Sequence, residues 1–208
     1  MVRAWIADVT PLLGKECYDS YYRQVPDFRK KKADALRLDK MKAQSIGVWM
    51  LWHKIRTTYH LPEESVFNFS HSGTCVMCAV CMDDRKVRVG CDVEKTGQLK
   101  MNIAMRYFCR EEYESISEAG TDEEKTDLFF RYWVLKESFM KATGKGMALP
   151  VNSFCIRLDD PPILVRQPAE FPESYYYREY RVVGFPYKMA VCSTDADIDT
   201  ELHTELTL

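Results

Sequence analysis

What the 208-residue chain lacks narrows its identity first. Its longest apolar run, Cys75–Met82, is far too short to span a bilayer. The opening segment, MVRAWIADVTPLLGKE, places Asp8 and Pro11 where a secretory leader needs an unbroken apolar core, so export is not expected. Neither sign of charge dominates: 29 Lys and Arg face 31 Asp and Glu, and the global balance says little about partners. No Ser/His/Asp or Cys/His constellation is evident, and no named nucleic-acid module appears. Cysteine is not scarce, at eight residues. Without export, reduced thiols are the default and a cytoplasmic location follows. Cys75, Cys78 and Cys81 have a spacing that superficially suits an iron–sulfur site. The segment reads instead as a buried strand in which Cys78 points opposite to the other two, and no fourth ligand stands at a useful spacing. A chain of this size makes one or two compact units with a sizeable core.

The stretch around which the rest is organised runs from Phe129 to Met147, FFRYWVLKESFMKATGKGM. It reads as the second half of a helix opened by a capping box, Thr121 with Glu124, and closed at Gly144. Leu128, Tyr132, Leu135 and Phe139 form a core-facing stripe. A second row, Phe129, Trp133, Glu137 and Met140/Lys141, sets a carboxylate beside an indole with a lysine one turn beyond. A carboxylate next to apolar bulk is costly unless its charge is compensated. Glu137 and Lys141 are therefore a surface ion pair, or Glu137 holds a cation while Lys141 faces a phosphate.

A second segment, Val87–Lys95 (VRVGCDVEK), alternates as a half-buried strand does. Asp92 and Glu94 are two residues apart, so both carboxylates leave the same face; the bland alternative is a solvated strand edge. A divalent cation is the usual compensation for like charges so placed. Asp92 and Glu94 from a strand with Glu137 from a helix, and no histidine nearby, suit Mg²⁺ better than zinc.

Upstream, Val2–Val9 alternates enough to be a strand. Between Arg29 and Lys42 lie seven basic residues against two acidic ones, Asp34 and Asp39. This is a solvated helix face or a phosphate site, since Lys and Arg supply point charges and forked donors to phosphate. Met41–Tyr59 continues as an amphipathic helix with Val48, Trp49, Leu51, Trp52 and Ile55 inward. Leu99, Met101, Ile103 and Met105 cluster as core or as an adaptable partner surface. Ser193–Leu208, with five acids and no Lys or Arg, reads as a frayed end.

GCDVE (Gly90–Glu94), followed about forty residues later by WVLKESFMKATGKG (Trp133–Gly146), resembles the signature of the surfactin-synthetase type of 4′-phosphopantetheinyl transferase. FNFSHSG (Phe67–Gly73) is similar to the family's Asn-x-Ser-His-Ser element. MRYFCREEY (Met105–Tyr113), LPVNSFCIRL (Leu149–Leu158) and YKMAVC (Tyr187–Cys192) match further family segments. The resemblance implies an α+β fold, a pseudo-twofold pair of similar α+β subdomains with the active site in the cleft between them. The seam would fall near Lys86–Thr96, giving residues 1–90, with the coenzyme A 3′-phosphate contacts, and residues 91–208, with the metal site and the carrier-protein docking surface.

The implied reaction is Mg²⁺-dependent transfer of 4′-phosphopantetheine from coenzyme A to a serine of an acyl or peptidyl carrier protein, releasing adenosine 3′,5′-bisphosphate. Asp92, Glu94 and Glu137 would hold the metal, and Glu137, or a water it polarises, would take the serine proton. Lys141 would offset charge on the leaving phosphate, with Lys136 assisting. Lys31 would meet the 3′-phosphate, and Ser70 and His71 the cofactor phosphates. Glu112 resembles a family residue that orders the metal-site helices, which suggests a structural role. Two departures stand out. Phe28 occupies the place of a family lysine, and LPEES (Leu61–Ser65) replaces a Gly-Lys-Pro segment. The resemblance is to the monomeric branch, with neither nucleic acid nor membrane as a partner. The rival functions are a non-catalytic coenzyme A or carrier-protein binding module and a Mg²⁺-dependent nucleotide hydrolase.

Overall fold

The computed structural model describes residues 1–83 and 85–208. In chain order the elements are β1 (Val2–Asp8), α1 (Lys15–Gln24), α2 (Asp27–Asp34), α3 (Asp39–Thr58), β2 (Phe67–Ser72), β3 (Cys75–Cys81) and β4 (Val89–Lys95). They continue with α4 (Met101–Tyr107), α5 (Arg110–Ser117), α6 (Asp122–Ala142), β5 (Cys155–Arg157), β6 (Ile163–Arg166), β7 (Tyr176–Tyr180), β8 (Tyr187–Ser193) and β9 (Ile198–His203).

Two sheets form the centre, one ordered β2-β3-β1-β9 and the other β4-β8-β7. The alternation of β3 shows how they stack. Cys78 faces the helix side with Trp5, Leu51 and Ile55, whereas Cys75, Cys81 and Met77 face Val89, Cys91, Val93 and Met189 of the second sheet. The second sheet turns Ala190 and Cys192 toward Val134, Leu135 and Phe139 of α6. The layers are thus α3, sheet, sheet, α6: two helix-on-sheet units set back to back, an α+β architecture in which each sheet is buried on both faces. The all-buried run of β3 follows directly from that double coverage. All eight cysteines are free.

The long helix α6 begins as its sequence predicts. Thr121 Oγ1 accepts from Glu124 N and the Glu124 carboxylate accepts from Thr121 N, while Gly144 takes a left-handed φ of 75° just past the helix end. In α3, Val48, Leu51, Trp52 and Ile55 are buried, but Trp49 is only partly so, and the Arg29 guanidinium lies over its ring.

The acidic tail is not frayed. β9 pairs in parallel with β1, Trp5 Nε1 donates to Glu205 Oε1 at 2.8 Å, and the His203 ring stacks on Trp5 at 4.9 Å. A carboxylate that satisfies a buried indole N–H gives an acidic segment a reason to dock that its charge count does not reveal.

Candidate active site

β2 and β4 belong to different sheets, yet side chains stitch their edges together. Period-two alternation points Asn68, Ser70 and Ser72 of β2 the same way, toward β4. Asn68 Oδ1 accepts from Cys91 N at 3.1 Å and Ser72 Oγ accepts from Lys95 N at 3.1 Å, so two edge N–H groups of β4 are satisfied without a strand partner. Ser70 and Ser72 each donate 2.7 Å bonds, to Asp92 Oδ1 and Glu94 Oε2 respectively. The Asn-x-Ser-x-Ser spacing thereby aims two hydroxyls at two carboxylates.

α6 closes over this seam from the other side. At Gly90 a Cβ would collide with the Ser138 carbonyl and with the Ala142 backbone nitrogen, so only glycine lets β4 approach α6 this closely. That approach brings Lys141 Nζ within 2.7 Å of Asp92 Oδ1, 3.0 Å of Ser70 Oγ and 3.1 Å of the Cys91 carbonyl. Asp92 is 3 % exposed, and its second oxygen, Oδ2, is buried with no hydrogen-bond partner.

The electrostatics are those of a crowded acidic site with one counter-charge. Burial raises the Glu137 carboxyl above its usual value, and the Asp92 and Glu94 charges raise it further against the pull of Lys141. Glu94 is raised as well, again mainly by burial, with Ser72 opposing and Asp92 adding. Burial pushes Lys141 down, but the carboxylates of Asp92 and Glu137 outweigh it and the ammonium is held above its usual value. His71, on the opposite side of β2 from the serines, is lowered by burial and by the positive charges of Lys141 and Lys32, which keeps its imidazole neutral.

The three predicted metal ligands are electrostatic neighbours, but among the described residues their oxygens do not gather within 4.8 Å of one another. Like charges repel, and two of the three are held by different partners: Asp92 by Ser70 and Lys141, Glu94 by Ser72. The set nevertheless fits a hard divalent cation. It is all oxygen, it carries more negative charge than Lys141 offsets, and the orphaned Asp92 Oδ2 is a buried acceptor in want of a positive partner.

Lys136 does not join this site, contrary to expectation. It is 1 % exposed, and its Nζ lies 2.9 Å from Glu112 Oε1, 2.9 Å from the Val151 carbonyl and 3.0 Å from the Phe154 carbonyl. Three acceptors consume all three ammonium protons, so none remains for a cofactor. One helical position separates it from Glu137, and that rotation of about 100° sends it to the far side of α6. Glu112 has the structural role its motif suggested, also accepting from Cys109 N and Ile156 N at 3.1 and 2.9 Å. Lys31 sits exposed on α2, in no ion pair among the described residues, whereas Lys32 is the basic neighbour that acts on His71. Arg29 is buried, its guanidinium 4.8 Å from the Trp49 ring centre. Residue-by-residue reading singled out Ser70 but not Asn68 or Ser72; the period-two spacing within FNFSHS carried that signal.

The sequence model of the 4′-phosphopantetheinyl transferase superfamily matches residues 88–192, the segment from the start of β4 through α6 to β8. The chain is similar to 4′-phosphopantetheinyl transferase Sfp of Bacillus subtilis, with 39 % identity over 140 residues, 65 % of this chain and 58 % of that protein. It is 31 % identical over 141 residues to 4′-phosphopantetheinyl transferase gsp of Aneurinibacillus migulanus, covering 67 % of this chain and 56 % of that one. A mouse L-aminoadipate-semialdehyde dehydrogenase-phosphopantetheinyl transferase is 36 % identical over 93 residues, 41 % of this chain and 29 % of its own length. The chain thus spans well under two thirds of the length of these relatives. With its family segment covering just over half of its residues and carrying Asp92, Glu94, Glu137 and Lys141, the chain belongs to the 4′-phosphopantetheinyl transferase superfamily.

Proposed function

We propose that the protein transfers 4′-phosphopantetheine from coenzyme A to a serine hydroxyl of an acyl or peptidyl carrier protein, with adenosine 3′,5′-bisphosphate as the leaving group. The observation that carries this reading is the buried, partnerless Asp92 Oδ2 inside a cluster of three carboxylates and one lysine at the β2–β4–α6 junction. A non-catalytic binding module has no use for three neighbouring acids, two of which, Glu94 and Glu137, have their ionisation opposed by burial.

Asp92, Glu94 and Glu137 would hold Mg²⁺, which when bound supplies charge neutralisation for the pyrophosphate under attack. Glu137 is suited to accept the serine proton. It makes no hydrogen bond among the described residues that would compete for its oxygens. Lys141, kept cationic by its carboxylate neighbours, is placed to compensate charge on the departing phosphate. Ser70 and Ser72 orient Asp92 and Glu94, and neutral His71 offers a donor to a cofactor phosphate from the other face of β2.

Residues 1–90 would contribute the coenzyme A side of the site, with Lys31 toward the 3′-phosphate and Lys32 toward the pyrophosphate beside His71. Residues 91–208 would contribute the carboxylates and, through the half-buried Met101 and Ile103 and the exposed Met105 of α4, the carrier surface. No described helix is long and apolar enough to cross a membrane. Eight unpaired cysteines suit a reducing compartment such as the cytoplasm. A single copy holds all the residues of the proposed site, in keeping with a monomer.

The deciding experiment incubates the protein with coenzyme A, Mg²⁺ and an apo carrier protein and weighs the carrier by mass spectrometry. A mass gain of one phosphopantetheine that disappears with EDTA is expected. An unmodified carrier with coenzyme A still bound to the protein would instead identify a binding module, and release of adenosine 3′,5′-bisphosphate and free phosphopantetheine without carrier modification a hydrolase.

A further inference from the structure

On the far side of α6 from the acidic cluster, a second group of ligating atoms gathers. Cys109 Sγ, Cys155 Sγ and a Glu111 carboxylate oxygen all lie within 4.8 Å of one another, and among the described residues no other trio of His, Cys, Asp or Glu does so. Cys109 is the N-cap of α5, Glu111 stands in its first turn, and Cys155 opens β5. The two thiols are 4 % and 3 % exposed. Cys155 Sγ lies 3.9 Å from Glu111 Oε2.

We propose that Cys109, Cys155 and Glu111 form a metal site for a thiophilic divalent ion of the Zn²⁺ class, separate from the hard-cation site of Asp92, Glu94 and Glu137. The donor chemistry sorts the two sites: an all-oxygen set suits Mg²⁺, and two thiolates with one carboxylate suit a softer d-block ion. Tetrahedral zinc with sulfur at about 2.3 Å and oxygen at about 2.0–2.2 Å separates its ligand atoms by roughly 3.5–3.8 Å. The trio therefore needs to contract by at most about 1.3 Å, within the reach of χ rotations on Glu111 and the two cysteines.

The fourth coordination position has a route to solvent. Cys155 and Glu111 line a pocket of about 680 Å³ shared with Tyr132, Arg157 and Arg166, through which the ion enters and a water completes the tetrahedron. Arg166 lies 4.0 Å from Glu111 Oε1, which leaves Oε2 to ligate. Binding is written with its protons: two thiols lose two protons, two metal–sulfur bonds and one metal–oxygen bond form, and no electron is transferred. The bound ion would pin α5 to β5 beside Glu112, which anchors Lys136 of α6. Its role is structural, and it depends neither on Mg²⁺ nor on phosphopantetheine transfer.

The reduced 208-residue protein is titrated with Co²⁺ and followed by absorption. One equivalent with an intense sulfur-to-cobalt charge-transfer band is expected, with two protons released per ion and the band erased by one equivalent of Zn²⁺. Cobalt held by Asp92, Glu94 and Glu137 has no sulfur ligand and gives no such band. Cys155→Ser and Cys109→Ser are each expected to weaken cobalt binding by about 100-fold or more. Serine at position 109 retains an N-cap acceptor for Glu112 N, so an unchanged urea midpoint verifies that this variant folds. Absence of the sulfur band in the folded protein, or its persistence in the Cys109→Ser/Cys155→Ser double variant, overturns the site.

Discussion

Lys141 Nζ lies 2.7 Å from Asp92 Oδ1, and this pair fastens the last turn of α6 to β4. The Asp92 side chain is 4 % exposed and the Lys141 side chain 24 %, so removing the lysine strands a buried carboxylate while removing the aspartate leaves an ammonium with access to water. Lys141→Met is expected to cost about 1–3 kcal/mol, below the full range for a buried pair because of that access. The Asp92→Asn/Lys141→Met double variant should lose at least about 1 kcal/mol less than the sum of the single losses. Urea midpoints of the four proteins check this, and additive losses would mean that the two charges do not interact.

Glu137→Gln removes one charge from a site where burial and two neighbouring carboxylates oppose ionisation. The folded protein should be no less stable at neutral pH, since an unfavourable charge has been replaced by a neutral amide of the same shape. Mg²⁺-dependent transfer should nonetheless fall by about 100-fold or more, the usual scale for a lost general base or metal ligand. A rate assay paired with a thermal melt reads both; near-normal turnover would remove Glu137 from its assigned role.

Ser72 both donates to Glu94 Oε2 and accepts from Lys95 N, so Ser72→Ala breaks an orienting bond and unsatisfies an edge N–H together. A stability loss of about 1–2 kcal/mol is expected. With Glu94 released, the Mg²⁺ concentration for half-maximal transfer should rise several-fold while coenzyme A affinity at saturating metal stays unchanged. Equal metal requirements in the two proteins would make Ser72 a purely structural tie.

Two adjacent lysines are assigned to different phosphates of coenzyme A. Lys31 is exposed on α2, whereas the charge of Lys32 reaches His71. Calorimetric titration with coenzyme A and with its dephospho form, which lacks the 3′-phosphate, separates them. Lys31→Ala should weaken coenzyme A by about five- to tenfold, as for one lost charge–phosphate contact, and leave the dephospho form unaffected. Lys32→Ala should weaken both if it serves the pyrophosphate beside His71. Full coenzyme A affinity in Lys31→Ala would exclude that lysine.

How far sequence reaches depends on whether the signal is local. The capping box at Thr121, the αL glycine at 144 and the opposed faces of Cys75/Cys81 and Cys78 are set by chain geometry over a few residues, and all three stand as read. The fold class was legible through motif resemblance and the alternation of strands with amphipathic helices. Lys136 was misassigned because its neighbours in sequence, Glu137 and Lys141, face the acidic cluster while the helical rotation hands Lys136 to Glu112, a partner visible only once α5 and β5 are packed. The tail was misread for a related reason: its docking rests on Glu205 meeting Trp5, a contact between residues 200 positions apart. The β2–β4 stitching lies between these cases, since the spacing of Asn68, Ser70 and Ser72 is local but its meaning depends on which edge they face.

The docked tail carries its own pH signature. Asp199 on β9 accepts from Glu201 N at 3.0 Å, lies 3.1 Å from His203 Nε2 and 3.2 Å from Arg3 Nε. Burial raises its carboxyl, but these hydrogen bonds and the Arg3 charge outweigh burial and hold it below the usual 3.8. A carboxyl depressed on folding contributes stability that is present above its unfolded pKa and lost as pH falls through the folded value, because the unfolded chain then binds the proton first. Asp199→Asn is therefore expected to cost about 1 kcal/mol at neutral pH. The difference from the parent should shrink as the pH drops below about 4. Urea midpoints of both proteins from pH 7 downward provide the measurement. A penalty that stays constant to the acid limit would show that Asp199 holds β9 by shape rather than by charge.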